Sequence, residues 1–235
     1  MLERLIDDAQ HHGKRIILYT DDAETALDTR FSGSSVTTEQ RRLPPHGPDP
    51  FVTIHDAGQV VGSLSLDDFE ELLTPPIVRP GDREEVSAGY RALFDLFDDT
   101  VFDSLDRRQL LGASREIEDR AFRVGHGTLR ASFQSLSVFE SQVEAYRHLA
   151  GDTALDVHVY GEADWEPPEI AGVTYHRSDA ATVKRFWTLA FDGGGDETQS
   201  CGLVAREQGN GYTGFWTYDP EIVSRIADEL ESVEA

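Results

Sequence analysis

The sequence predicts an α/β (α+β) fold with a mixed or mainly antiparallel sheet, arranged as two similar halves around a central helical region. Three observations lead there. Segments with apolar residues at helical spacing alternate with short apolar runs bounded by turn residues. A strand, turn, strand and helix unit recurs near each end of the chain, and the middle carries long stripes of helical period. With 235 residues, 39% of them apolar and spread along the chain, there is material for a substantial core.

Leu2, Leu5, Ile6 and Ala9 lie at helical spacing and lead through Gly13 into the strand Ile16 to Tyr19, bounded by Asp21 and Asp22. The polar stretch Ala23 to Pro50 is expected to hold a short helix and an edge strand, with PPHGPDP as an exposed loop. A hairpin follows, Phe51 to His55 and Gln59 to Leu64 around Asp56-Ala57-Gly58. Asp67 opens the short helix DDFEELL, stopped by Pro75 and Pro76.

From Arg83 to about Ala150 the periodicity is helical. Val86, Tyr90, Leu93, Phe94 and Phe97 form one stripe; Asp106 caps a run with Leu110, Leu111, Ile117, Ala121 and Phe122; Leu129, Phe133 and Leu136 resume it after Gly125 and Gly127. A helix over Val143 to Leu149 then leads to strands at Asp156 to Tyr160 and Val173 to His176 and a helix near Ala180 to Lys184. Strands at Phe186 to Phe191, Gly202 to Glu207 and Thr213 to Tyr218 follow. Asp219 and Pro220 open the last helix, with Ile222, Val223, Ile226 and Leu230 on one face. FVTIHDAGQVVGSLSLDDFEELL and GLVAREQGNGYTGFWTYDPEIVSRIADEL share one plan, which fits an internal duplication as well as a chance recurrence. The expected partition is 1–80, 81–150 and 151–235, packed as one body.

Charge separates classes of function. Against 44 acidic residues stand 21 basic ones, a formal net charge of −23, and only Lys14 and Lys184 are lysines. Carboxylates hold hydrated cations, whereas long lysine stems expose apolar surface that concentrated salt penalises; the composition reads as adaptation to molar salt, as in halophilic archaea. Such a chain opposes nucleic acid and anionic membranes in ordinary salt. Cys201 is the only cysteine, so neither an intramolecular disulfide nor a cysteine-based zinc site forms within one chain. MLERLIDDAQHH carries acids where a signal peptide is basic and then apolar, and no stretch is apolar enough to span a bilayer, so a cytoplasmic location is expected.

The stretch Ser114 to Gln134, SREIEDRAFRVGHGTLRASFQ, holds the densest candidate chemistry. Arg115 with Asp119, and Glu116 with Arg120, stand at i,i+4. A solvated ion-pair face, a buried polar network between helices and a ligand pocket all suit that pattern. In the pocket reading, Arg115, Arg120 and Arg123 grip a carboxylate or phosphate and His126 approaches the ligand between two glycines. Trp187 and Trp216 point opposite to Phe186 and Phe215, so one face serves a core and the other is either buried too or holds a planar ligand. His158 and His176 on neighbouring strands suit a shared metal or a simple pair. Gly193-Gly194-Gly195-Asp196 lacks both GxGxxG and a P-loop lysine and reads as a flexible hairpin loop. No Ser, His and acid spacing follows a hydrolase pattern, and Cys201 has no nucleophile context.

LFDLFDDTVFDSLDRRQLLGASREIEDRAFRVGHGTL, DVHVYG, FWTLAFDGG and GFWTYDPE together resemble the DICT sensory domain, a family fused to diguanylate cyclases and two-component proteins and also free-standing in haloarchaea. The resemblance covers Pro80 to the C-terminus and the first half more loosely. It implies a non-catalytic sensory module that answers a light-related or small-molecule effector through a signalling partner protein, with the cofactor unassigned. GGDEF-type, kinase ATP and HD metal motifs are absent from the sequence. Two other classes stay open: a pure interaction scaffold without ligand, and an enzyme using Glu116, Glu118 and His126 as acid-base groups in a cleft. A homodimer is compatible with the two apolar stripes.

Overall fold

The computed structural model describes residues 1–10, 13–21, 35–73, 75, 77–82, 88–209 and 211–233. Asp22, Pro76 and Val86 of the expected elements lie outside them, as do residues 23–34 of the polar stretch; its described part, 35–50, holds a strand and no helix.

Helix α1 (Leu2–Ala9) buries Leu2, Leu5, Ile6 and Ala9, the stripe its spacing dictates. The chain then builds a four-stranded sheet from β1 (Arg15–Thr20), β2 (Thr37–Arg42), β3 (Phe51–Asp56) and β4 (Gln59–Ser65) in the order β2-β1-β3-β4. β1 runs parallel to β2 and antiparallel to β3, and β3 and β4 form the expected hairpin. At its turn Ala57 and Gly58 both have positive φ, 46° and 82°, the twist a two-residue hairpin needs. Helix α2 (Leu66–Leu73) follows, then α3 (Ala88–Leu96).

The larger sheet has seven strands: β5 (Phe102–Leu105), β6 (His126–Ser135), β7 (Ala154–Glu162), β8 (Val173–Arg177), β9 (Phe186–Phe191), β10 (Cys201–Gln208) and β11 (Gly211–Thr217). Their order is β5-β11-β10-β9-β6-β7-β8, with β6, β7 and β8 mutually parallel and the other neighbours antiparallel. Helices α4 (Arg107–Val124), α5 (Leu136–Phe139), α6 (Val143–Gly151), α7 (Ala181–Arg185) and α8 (Pro220–Glu231) connect or cover it.

The fold is α/β with mixed sheets, as expected, but the middle of the chain is not helical throughout. Leu129 and Phe133 lie on β6, hydrogen-bonded between β7 and β9, and the boundary expected at residue 150 runs through this sheet. The two residues fit a helical spacing of four, yet Leu129, Ala131 and Phe133 also alternate at period two; the small Ala131 concealed that alternation. Gly125, at φ 75°, ends α4 in the left-handed conformation and turns the chain into the strand. Strand β6 has neighbours like those of β1, a parallel one in β7 and an antiparallel one in β9, which pairs with β10 as β3 pairs with β4.

Both faces of the large sheet are covered. Trp187, Leu189, Phe191, Leu203, Ala205 and Trp216 face α4 in the main core, which continues into Ile16, Leu18, Val52 and Ile54 of the small sheet. On the other face Phe186, Ala190, Val204 and Phe215 meet Leu2, Leu5 and Ile6 of α1 and Val223 and Ile226 of α8.

Lys14, 7% exposed, ties the sheets together. Its ammonium donates to Leu96 O (2.7 Å) and Asp98 O (2.8 Å) and pairs with Asp98 Oδ1 (2.9 Å). Trp216 Nε1 donates to Phe94 O at 2.8 Å, so the open carbonyls at the end of α3 are met by side chains of both sheets. Lys14→Met removes three charge-assisted bonds and leaves buried carbonyls unmet; it should cost about 2–4 kcal/mol in denaturant titrations at constant molar salt. A loss under about 0.5 kcal/mol, the size of a surface change, would place Lys14 outside the structural ties.

Candidate functional site

Helix α4 carries most of the residues singled out in the sequence. It opens on a reciprocal cap: Gln109 N donates to Asp106 Oδ1 (2.8 Å) and Asp106 N to Gln109 Oε1 (3.0 Å). One stripe, Leu110, Ala113, Ile117 and Ala121, packs on the sheet, and the flanking charges are drawn inside with it.

The two expected i,i+4 pairs give way to a mixture of other intrahelical contacts and tertiary ones. Arg115, 8% exposed, donates to Glu118 and to Gln142, and Glu118 accepts from Tyr146 Oη at 2.8 Å. Burial, and then the Glu118 carboxylate, pushes the Tyr146 phenol well above its ordinary value, so it stays a donor. Asp119 accepts from Gly81 N (3.0 Å) and pairs with Arg123 (3.2 Å). Arg120 reaches Asp95 on α3 (3.3 Å) and lies 4.1 Å over the Tyr218 ring. Of the three patterns the sequence suits, these contacts are those of a buried network that joins α4 to α6, to α3 and to the end of the large sheet.

Glu116 is the under-compensated member. It is 7% exposed and its closest cation, Arg123, stands at 4.0 Å. Burial raises its carboxyl from 4.5 to about 7 against the pull of Arg123. Cys201 is fully buried, its thiol pushed up to about 12 by the same exclusion of water, which leaves it inert as a nucleophile.

His126 stands apart. It is exposed at the start of β6, with Nδ1 3.0 Å from Val124 O, and does not join Glu116 and Glu118 in a cleft. Trp187 and Trp216 are core residues. Phe94 and Phe102 stack on Trp216 at 4.3 and 5.1 Å and the face carrying Phe186 and Phe215 is buried too, so of the two alternatives, burial on both sides and a planar ligand, the contacts are those of burial. His158 Nδ1 and His176 Nε2 are 2.8 Å apart, one donating to the other. The glycine loop is tied down: Asp192 Oδ1 accepts from Thr128 N (3.0 Å) and Gly194 N (2.8 Å), and a Cβ on Gly127 would stand 2.6 Å from Gly194 Cα.

Open space lies elsewhere, on either side of α8. A cavity of about 380 Å³ is formed by Thr128 and Arg130 of β6, Asp192, Glu197 and Ser200 beyond β9, and Val223, Ser224, Asp228 and Glu231 of α8. Arg130 pairs with Glu231, and its Nε is buried without a hydrogen-bond partner. A smaller cavity of about 160 Å³ lies between Leu5, Asp8 and Ala9 of α1, Asp99, and Asp219, Ile222 and Arg225. Sequence reasoning missed both. Carboxylates do not stand out in so acidic a chain, and the walls come from segments far apart in sequence. Arg130 and Arg225 supply the basic groups of these walls.

Residues 97–208 match the DICT family, described as "Sensory domain in DIguanylate Cyclases and Two-component system". Among curated proteins no match is found. A crystal structure of polyphosphate kinase from Porphyromonas gingivalis aligns with a TM-score of 0.39 and 12% identity, over 97% of this chain and 47% of that one. The chain thus spans about half that protein's length, and so distant a likeness carries no weight for fold or activity. Among the described residues no helix is long and apolar enough to cross a membrane.

Glu116 makes stability depend on pH. Its folded value of about 7 lies above the ordinary 4.5, so the folded state holds the extra proton between them. The associated stability is complete below about pH 4.5 and is lost as pH rises through 7. Glu116→Gln should flatten that fall and raise the unfolding midpoint at alkaline pH, by at most about 3 kcal/mol. An unchanged slope in denaturation at stepped pH would mean that Glu116 is ionised and paired with Arg123.

Proposed function

We propose that this chain is a non-catalytic sensory module of the free-standing, salt-adapted DICT type, which works in the cytoplasm and passes the binding of an effector to a separate signalling protein. The match of residues 97–208 to a sensory family carries the reading. The separation of Glu116 and Glu118 from His126 speaks against the acid-base alternative, since proton transfer needs its groups within reach of one reacting atom.

The cavity of about 380 Å³ is where an effector best fits. Its floor, from Thr128 to Ser200, belongs to the matched segment, and its lid is α8, beyond that segment. A molecule bound there touches α8 along Val223, Ser224, Ala227 and Asp228, so occupancy and helix position are coupled. Arg130, with its unmet Nε, is the anchor. We assign Arg115, Glu116, Arg120 and Arg123 to holding α4 rigid while α8 moves, and Trp187 and Trp216 to the core beneath it.

Native mass spectrometry of protein purified in molar salt, followed by mass identification of what the denatured sample releases, tests this. The expected result is a stoichiometric small molecule, lost in Arg130→Ala with the fold intact, and hydrogen exchange that slows in α8 on rebinding. An empty protein that retains a second polypeptide would move the function to an interaction scaffold.

A further inference from the structure

We propose that His158 and His176 form a proton-operated latch on β8: the pair holds this edge strand against β7 while it carries one extra proton or none, and releases it when both rings are charged. Protons are then a stimulus in their own right, separate from the effector of the cavity beside α8.

The latch sits where little else holds the chain. Among the described residues β8 is the last strand of the large sheet, paired with β7 alone, and none of its five residues is buried. On β7, by contrast, Leu155, Val157, Val159 and Tyr160 are buried, so apolar burial contributes far less to seating β8 than to seating its neighbour. One face of β8 is held by Tyr175, which packs on Phe139 and donates to Pro168 O at 3.0 Å, and by the exposed pair of Arg177 with Glu166. On the other face His176 lies on the Tyr160 ring at 4.5 Å, and its Nε2 stands 2.8 Å from His158 Nδ1.

The partners dictate how many protons the pair tolerates. Asp156 Oδ2 lies 3.2 Å from His158 Nε2, and a carboxylate only accepts, so that nitrogen carries its hydrogen. In neutral His158 the other nitrogen, Nδ1, is then a lone pair, and His176 Nε2 donates to it. A first proton is accommodated on the His176 ring, whose Nε2 keeps donating and now does so with charge assistance. A second proton must enter at His158 Nδ1. Two N–H groups and two positive charges then face each other across 2.8 Å, and the contact turns from attractive to repulsive. That distance lies within the Debye length of about 3 Å at molar salt, so the repulsion survives there.

The charges around the pair do not relieve it. Asp156 is 68% exposed, and water weakens its pull. Arg130 stands beside His158 in register on β6 and adds a further positive charge, with Glu231 of α8 as its own partner. Glu162 pairs with Lys184 of α7, which also meets Asp179, and Glu229 of α8 accepts from Thr182 and faces the N-terminal amine. Release of β8 bares the ladder of β7, an edge of the kind that takes up a further strand.

Hydrogen exchange of the full chain in molar KCl, from about pH 8 to about pH 4.5 across histidine's range, tests the latch together with imidazole NMR. Protection of Val173 to Arg177, corrected for the intrinsic rate, should fall by about tenfold or more as pH drops, while β6 and β9 stay protected. The imidazole signals should show the two protons entering in separate steps. His158→Gln and His176→Gln keep an amide for hydrogen bonding but cannot be charged, and each should abolish the pH response of β8. Glu116, whose carboxyl is raised to about 7, lies on α4, so Glu116→Gln should leave that response in place. Exchange in β8 that does not change with pH overturns the proposal. So does a response of full size in both glutamine variants, or one spread evenly over the large sheet. If one variant unfolds, the other and the NMR steps of the unaltered chain carry the test.

Discussion

A sheet that is apolar on both faces needs two covers, and that constraint organises this molecule. Strand β9, FWTLAF, is buried at every position, so neither of its faces can meet water. One cover, α4, is local to the strands it packs on. The other is assembled from the chain's first and last helices, α1 and α8, which share one apolar cluster with Phe186, Val204 and Phe215. Because α1 then leads into β1, the small sheet is tethered to the outer face of the large one. Burial at about 25 cal/mol per Å² on both faces drives this closure, and Lys14 fixes its geometry by holding the end of α3 against the start of β1.

The use of charge follows from the same closure. A chain at −23 has acids to spare and few bases, and it places several of the bases inside: Lys14 and Arg115 are buried, and the side chains of Arg120 and Arg130 are only 15% and 14% exposed. The carboxylates hydrate the surface while these cations tie elements together. Ion pairs of this kind add little net stability, because desolvation offsets attraction. Their contribution is geometric. Glu118 is held by both Arg115 and Tyr146, and this fixes α4 relative to α6 in a way that Leu or Ile contacts alone would leave degenerate.

What the sequence discloses is local. The stripe of α1, the hairpin of β3 and β4, the Asp106 cap and the Asp219-Pro220 start of α8 are each written in a few adjacent residues, and each forms as its pattern dictates. The charged helix is equally visible, but its partners are not: Arg115 forgoes Asp119 for Glu118 and Gln142, and Asp119 turns to Gly81 and Arg123. Nothing at spacing three or four separates these outcomes, because residues remote in sequence decide them. Strand β6 was hidden for a related reason. Its alternation rests on Ala131, and only pairing with β7 and β9 makes that alanine a core position. The cavities beside α8 are least legible, since their walls come from elements that meet only after the sheet is closed.

The limits of the family match differ from those of the folded unit. Residues 97–208 include β5, whose sheet partner is β11, and β11 lies beyond the match. The matched segment alone would leave β5 without its ladder, and it would strip α1 and α8 from Phe186 and Val204. Such a fragment exposes an apolar face that water does not tolerate. The folding unit therefore extends past the segment in both directions, and the added parts are the ones that roof both cavities. A sheet and α4 held by buried ion pairs make the base, and α8 rests on it through Val223, Ile226 and Leu230 with Arg130–Glu231 and Thr182–Glu229 at its C-terminal end. In the reading proposed above, the signal that enters beside α8 leaves through α8 itself, by a rotation that the Arg130–Glu231 pair must accommodate.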